Sequence, residues 1–382
     1  MSSRVAAALL NSFQQDIGRV TRDDTTFVVA PMKLWRARNR ARAQAAQEAA
    51  TVTNIQGIYF DERIDRTTVS ASVCIREEHV VVLSEPGAEY LTHFTPQSGR
   101  AVDLFRDLHA VAAQYEADVR VLGCDGTAVN TGTRGGVCRL FEMFIGRPVH
   151  WFICQLHANE LNLRSVFQGL DGTTTGPRSF SRPLGVQCAG DVWRLPVTEF
   201  QPVPAGAVEE IPEQLVMELS VDQQLLYRLA WAVQCGHLPD ATARRAIGPL
   251  NHARWLTLAA RLLRLYASTE RPSAALHQVV EYLVGHYVPM WFQIRRNSSC
   301  AAGAKNVYRS VQLLRHLCDA TRRLVEHVIA RNAYWAHPEQ VLLAMVTDDS
   351  RSAREEAVQC SSSSTPESAT RSETQERRSQ WR

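Results

Sequence analysis

The chain has 382 residues, of which 45% are hydrophobic and 21% charged, and it carries a formal net charge of +3. That length allows roughly two or three domains around a sizeable core, and the composition fits a soluble globular protein. So small a charge gives no strong vote for a nucleic-acid partner, and no apolar run approaches the about 20 residues of a membrane span. Lys33 and Lys305 are the only lysines, all other cations being Arg. Arg suits phosphate and carboxylate geometry, although an Arg-favouring codon usage explains the bias equally well. The first residues (MSSRVAAALLNSFQQDIGR) lack a long apolar region, so secretion is not expected. Nine scattered cysteines without a CxxC pair predict reduced thiols in nucleus or cytoplasm, and no zinc finger.

Taken in order, residues 1–54 read as a helical, basic segment. Leu34 to Ala50 is rich in Ala, Arg and Gln, which are good helix formers. Its arginines (Arg36, Arg38, Arg40, Arg42) form either a phosphate-contacting face or a solvated one. From Ile55 the texture changes to strands. Ile58 and Phe60 lie in a short apolar run ending at Asp61. Arg66–Arg76 and His79–Leu83 follow as strands, with Tyr90–Phe94 a further edge strand, and Ser98–Tyr115 has helical spacing. Val119, Val121 and Leu122 then form a strand that delivers Asp125. A helix-like segment, Val137–Phe144, precedes a last strand, His150–Cys154. The predicted order is strand, strand, strand, helix, strand, helix, strand.

If the first three strands are antiparallel and the fourth lies beside the first, Asp61 and Asp125 become neighbours. Two close carboxylates repel as bare anions and favour a divalent cation. Two such ions clamp the attacking and leaving oxygens of an in-line phosphoryl displacement. The plain alternative is that Asp125 caps a turn, since Asp before Gly is ordinary turn chemistry.

Residues 171–220 read as an irregular, Pro-rich crossing. Residues 221–300 contain several helices, among them Arg254–Ala267, which is strongly amphipathic in pattern. Residues 301–349 are helical, with arginines (Arg309, Arg315, Arg322, Arg323, Arg331) on a solvated face or against a DNA backbone. From 350 to 382 the composition collapses to Ser, Thr, Glu, Gln and Arg, which predicts a disordered tail.

Several motifs jointly carry a resemblance. The pattern D-G-x-x-x-N-x-G at Asp125, then C-x-x-H-x-x-x-L-x-L (Cys154, His157, Leu161, Leu163), then Arg254-Trp255, looks like the hAT superfamily of DNA transposases. The segments FDERIDRT, LSEPGAEYLTHFTP, GCDGTAVNTG, WFICQLHANEL and LDGTTTGP look like a group of hAT-derived arthropod proteins, over about residues 55–350. The resemblance implies an α/β fold, a ribonuclease-H-like mixed sheet with flanking helices at 55–170 and an inserted all-helical domain at 221–300. It implies Asp61 and Asp125 as catalytic acids for Mg²⁺ (or Mn²⁺), DNA as partner, homo-oligomers, a nuclear location and no small-molecule cofactor. The ancestral reaction is phosphodiester hydrolysis, then attack of the freed 3′-hydroxyl on target DNA.

By the same resemblance Cys154 and His157 form a structural motif near the active site. Their ordinary reading is a small buried hydrophobe and a backbone-bonded imidazole. Trp255, opening its helix beside Arg254, inherits a base-stacking role, against the commoner role of a Trp in a core. The resemblance fails at the third acid. Glu339, Glu326, Glu281 and Glu355-Glu356 are available, none in a matching motif, so the acid is Glu339 or lies beyond this chain. A zinc-binding DNA reader is also absent. The expectation is a degenerate or incomplete DNA strand-cleavage and transfer protein. The alternatives are a non-catalytic nuclear module that binds DNA or protein, and an unrelated metal-dependent phosphoesterase.

Overall fold

The computed structural model describes residues 3–49, 54–68, 74–173, 180, 182–204, 208–250, 254–296, 302–332, 338–348 and 350–363. It divides into two compact units, residues 1–150 and 151–382. The boundary lies twenty residues before the one composition suggests.

In the first unit, α1 (Ser3–Asp16) and α2 (Pro31–Ala49) are followed by three strands, β1 (Gly57–Thr68), β2 (Cys74–Glu85) and β3 (Glu89–Phe94). Next come α3 (Ala101–Gln114), β4 (Val121–Cys124), the short α4 (Ala128–Thr131) and α5 (Val137–Ile145), and then β5 (His150–Ile153), in which the boundary between the units falls. The strands form one five-stranded mixed sheet in the order β3-β2-β1-β4-β5. β1 runs antiparallel to β2 and parallel to β4.

The order of strands and helices is the predicted one, but the strands are cut differently. β1 runs through Asp61 to Thr68, so residues 66–68 belong to it and not to a second strand. Residues 69–73 of the predicted second strand lie outside the described residues. His79–Leu83 falls inside the long β2, and Tyr90–Phe94 is the third strand.

Successive side chains on a strand alternate between faces, and burial follows that period. Ile58 and Phe60 on β1, Val80 and Val82 on β2, and Leu122 and Cys124 on β4 are all at most 1% exposed. α5 covers this face, Cys138 Sγ lying 3.6 Å from Cys124 Sγ. Phe105 of α3 meets Phe141 of α5 edge-on, ring centres 6.1 Å apart. Gly146 ends α5 at φ +71°, a left-handed cap that suits glycine.

In the second unit α6 (Gln155–Asp171) and α7 (Pro183–Ala189) precede a single 3-10 turn at Val192–Arg194. Then come α8 (Glu213–Met217), α9 (Val221–Cys235), α10 (Asp240–Ala243), α11 (Arg254–Tyr266) and α12 (Ala274–Tyr282). α12 runs through one π turn, Leu283–Tyr287, into α13 (Val288–Arg296). α14 (Gly303–Leu314), α15 (Asp319–Asn332), α16 (Pro338–Val346) and α17 (Arg351–Ser363) complete it. The core is one large apolar cluster drawn from α6, α7, α9, α11, α12 and the π turn.

Two expectations are corrected in this unit. α11 is not amphipathic in place: Trp255 to Ala267 are all buried, Arg261 and Arg264 included. These arginines satisfy backbone groups of the irregular crossing. Arg261 donates to the carbonyls of Cys188 and Gly190, both at 2.7 Å, and Arg264 to those of Ala243 at 3.1 Å and Leu195 at 2.7 Å. A stretch without its own hydrogen-bond ladder is thereby pinned to a helix. The second correction concerns the tail, where residues 351–363 form α17 and not a disordered chain. Ala353 and Ala357, four residues apart, are buried against Tyr308 and Met345, and Glu356 pairs with Arg315 at 3.0 Å. Residues 364–382, the remainder of the predicted tail, lie outside the described residues, as do 174–179 of the predicted loop.

Candidate functional site

The site is set by strand register. β1 and β4 pair Gly57 with Val121, Ile58 with Leu122 and Tyr59 with Gly123. Pairing stops there. The same offset extended by two residues would bring Asp125, just beyond the last residue of β4, level with Asp61, and the charge of Asp125 does act on the Asp61 carboxyl. In-register residues of adjacent strands share a face. The contact is tight one step back: a Cβ on Gly123 would come within 2.3 Å of the Tyr59 ring. Glycine is what lets the tyrosine lie across β4 immediately before the two acids.

Asp125 is held through one oxygen. Thr127 donates its backbone N–H at 3.0 Å and its hydroxyl at 2.8 Å to Oδ1, and the Asn130 side chain donates to the same atom at 2.9 Å. The first bond is the turn an Asp makes two residues ahead of itself, and it leads the chain into α4. Among the described residues no hydrogen bond reaches Oδ2. Turn capping therefore uses one oxygen of Asp125 and leaves the other without a hydrogen bond among the described residues.

The electrostatics are those of crowded anions. Asp61 belongs to the open face, opposite the exposed Val81, and is itself exposed as a residue with its carboxyl partly covered. Burial first, then the charge of Asp125, raise its pKa above the ordinary carboxylate value, against smaller opposition from the Glu62 backbone and Arg63. Glu62, one residue on and facing the other way, is also raised. Burial is the main cause; the Asn130 side chain pulls it back, and the charges of Asp125, Glu78 and Asp61 push it up.

Glu62 and Asn130 are the site residues that sequence reasoning missed. Asn130 is 2% exposed, and its Oδ1, like Oε1 of Glu62, is buried with no hydrogen-bond partner among the described residues. Asn130 stands in the D-G-x-x-x-N motif, a signal that was present. Glu62 carries none, because its position beside Asn130 depends on β1 continuing past Asp61. Among the described residues no group of three or more His, Cys, Asp or Glu is placed to hold a metal ion.

The other predicted residues lie in the second unit. Cys154 is the N-cap of α6, half-buried, and His157 is on its first turn. Trp255 is 6% exposed in the apolar core, its ring 6.2 Å from that of Phe167. This corrects the base-stacking expectation, since an indole inside a helical core has no face left for a base. Arg254 heads α11, its side chain outside the described residues, as is that of Glu339 near the start of α16. Of the remaining candidate acids, Glu326 pairs with Arg322 at 3.3 Å, Glu355 with Arg351 at 2.8 Å and Glu356 with Arg315, while Glu281 lies 3.7 Å from the His277 ring.

No protein-family model matches the chain, and no curated protein matches its sequence. Among the described residues no helix is long and apolar enough to cross a membrane.

Proposed function

We propose that the chain derives from a hAT-type DNA transposase, with a ribonuclease-H-like first unit whose Asp61 and Asp125 hold Mg²⁺ or Mn²⁺ for cleavage of a DNA phosphodiester. The observation that carries this reading is that β1 and β4 pair in parallel up to Tyr59 and Gly123, two residues short of Asp61 and Asp125, and that the charge of Asp125 acts on Asp61. The strand order, with three antiparallel strands and a parallel fourth beside the first, is the one that fold requires. DNA as partner, homo-oligomers and a nuclear location belong to the same proposal.

The donor set fits the ion. Mg²⁺ is usually held by one or two carboxylates with the rest of its shell water, and here Asp125 Oδ2 has no hydrogen bond among the described residues, while the Asp61 pKa is raised first by burial and then by the charge of Asp125. The bound ion supplies Lewis-acid stabilisation of a phosphoryl oxygen and a more acidic water. Thr127 and Asn130 fix the Asp125 carboxylate through Oδ1, so its free oxygen is presented in one orientation. Asp61 holds its negative charge at the cost of repulsion from Asp125 until a cation arrives.

A second reading is favoured by the absence of a converging third acid among the described residues: a catalytically degenerate module that binds DNA or protein without cutting. Incubation of supercoiled plasmid with the full chain and Mn²⁺ separates the two. Nicking that Asp125→Asn abolishes supports cleavage. DNA retention without nicking, unchanged by Asp61→Asn or Asp125→Asn, supports the binding module.

A further inference from the structure

Glu62 occupies the last covered position on the core face of β1. Strand alternation puts Ile58, Phe60, Glu62 and Ile64 on one face. Ile58 and Phe60 are 1% exposed and Val80, paired with Glu62, is fully buried, whereas Ile64 is 60% exposed. The carboxyl therefore stands where the core gives out. Among the described residues no Lys, Arg or His pairs with it, and the charges of Asp125, Glu78 and Asp61 all press on it. The group that favours its negative charge is the side-chain amide of Asn130, which donates a hydrogen bond to it.

The same amide donates to Asp125 Oδ1 at 2.9 Å. A side-chain NH₂ has two hydrogens, enough for both carboxylates. Asn130 thus links an acid of β1 to the acid just past the end of β4. Asn130 is 2% exposed, and its Oδ1 is buried with no hydrogen-bond partner among the described residues. Leaving a buried acceptor unpaired is costly, and an amide can present either end to its neighbours. Two carboxylates on the nitrogen side are what keep the oxygen turned away from Asp125. Held by Asp125 alone, the amide turns about a single bond; held at two points, its plane is fixed.

We propose that Glu62 is a positioning residue of the cation site: it keeps the Asn130 nitrogen toward the acids, and Asn130 in turn fixes the Asp125 carboxylate. This rests on the reading of Asp61 and Asp125 as cation ligands. Groups that orient a ligand from behind contribute about 10–100-fold to metal affinity.

The test is Mn²⁺ titration, read from the free-ion paramagnetic resonance signal, of wild type, Glu62→Val, Glu62→Gln, Asn130→Ala and the double variant Glu62→Val with Asn130→Ala. Valine suits a strand position opposite Val80, and Asn130→Ala leaves both Thr127 donors on Asp125. Thermal melts establish the folds, with Glu62→Ala replacing Glu62→Val if the valine chain is unfolded. Glu62→Val and Asn130→Ala are each expected to weaken binding about tenfold, and the double variant no more than Asn130→Ala alone. Glu62→Gln keeps an acceptor for the amide and is expected to lose less than about threefold. Additive losses in the double variant show Glu62 acting without Asn130 and overturn the proposal. So does a Glu62→Gln chain as weak as Glu62→Val, which shows its charge acting on the ion directly, or full affinity in Glu62→Val. Each of these results, with a wild type that binds, overturns this proposal alone. A wild type that takes up no Mn²⁺ overturns it together with the cation reading.

Discussion

Asn130 donates its side-chain amide to Oδ1 of Asp125 at 2.9 Å, with its own Oδ1 buried and without a hydrogen-bond partner among the described residues. The bond ties the residue just past the end of β4 to the helix after it, and leaves Oδ2 as the oxygen without a hydrogen bond among the described residues. Asp125→Asn keeps an oxygen for the Thr127 and Asn130 donors, so it is expected to remain folded. Asp125→Ala removes the acceptor of three bonds and is expected to cost about 0.5–2 kcal/mol, the range of a lost cap. Chemical denaturation of the two variants checks this. Equal loss of stability in both would show that charge, and not the turn, is what Asp125 contributes.

Asp61 is expected to destabilise the metal-free chain. Its folded pKa is raised, so between the ordinary carboxylate value and that raised value the folded chain binds more protons than the unfolded one. Stability then falls as pH rises through the window. Asp61→Asn should raise stability at pH 7, as substitutions at strained functional sites commonly do. Thermal melts at pH 4 and pH 7 report it, the gain appearing only at the higher pH. A variant less stable than wild type at pH 7 rules the repulsion out.

His286 sits on the π turn, fully buried, with Nε2 2.9 Å from the Ser310 hydroxyl. Burial lowers its pKa to about 4. The unfolded chain takes up this proton first, so stability is complete above about pH 6.5 and is lost as pH falls toward about 4, by about 3 kcal/mol in all. The slope of stability against pH in this window should flatten in His286→Gln, whatever that variant costs at neutral pH. An unchanged slope would mean that the imidazole is charged in the folded chain.

Much of this arrangement was legible in the chain, and the misses share a cause. Asp61 and Asp125 could be found because each follows a short apolar run, and the order of runs and helical spacings gave the sheet. Glu62 could not: strand alternation assigns it to the core face only once β1 is known to continue past Asp61 against β2. Arg261 and Arg264 looked like the polar stripe of an amphipathic helix, since periodicity cannot distinguish water from backbone carbonyls as the partner of a guanidinium. In α17 composition hid a pair of small residues, Ala353 and Ala357, whose spacing of four buries one stripe of an otherwise polar helix.

Trp255 is a core residue, and its substitution should read as one. Trp255→Ala is expected to cost about 3–5 kcal/mol, while Trp255→Phe, which keeps a ring against Phe167, costs less and leaves any DNA affinity unchanged. Fluorescence-detected unfolding together with a DNA-retention assay checks both. A large loss of DNA affinity in a fully folded Trp255→Phe variant would return the indole to the binding surface.

The most direct measurement is titration of the full chain with Mn²⁺, followed by the loss of the free-ion paramagnetic resonance signal, for wild type, Asp61→Asn and Asp125→Asn. Expected is saturable binding to the wild type that each single substitution weakens about tenfold or more, with no change in fold. Binding that is absent from the wild type, or equal in all three chains, would contradict a cation site at Asp61 and Asp125.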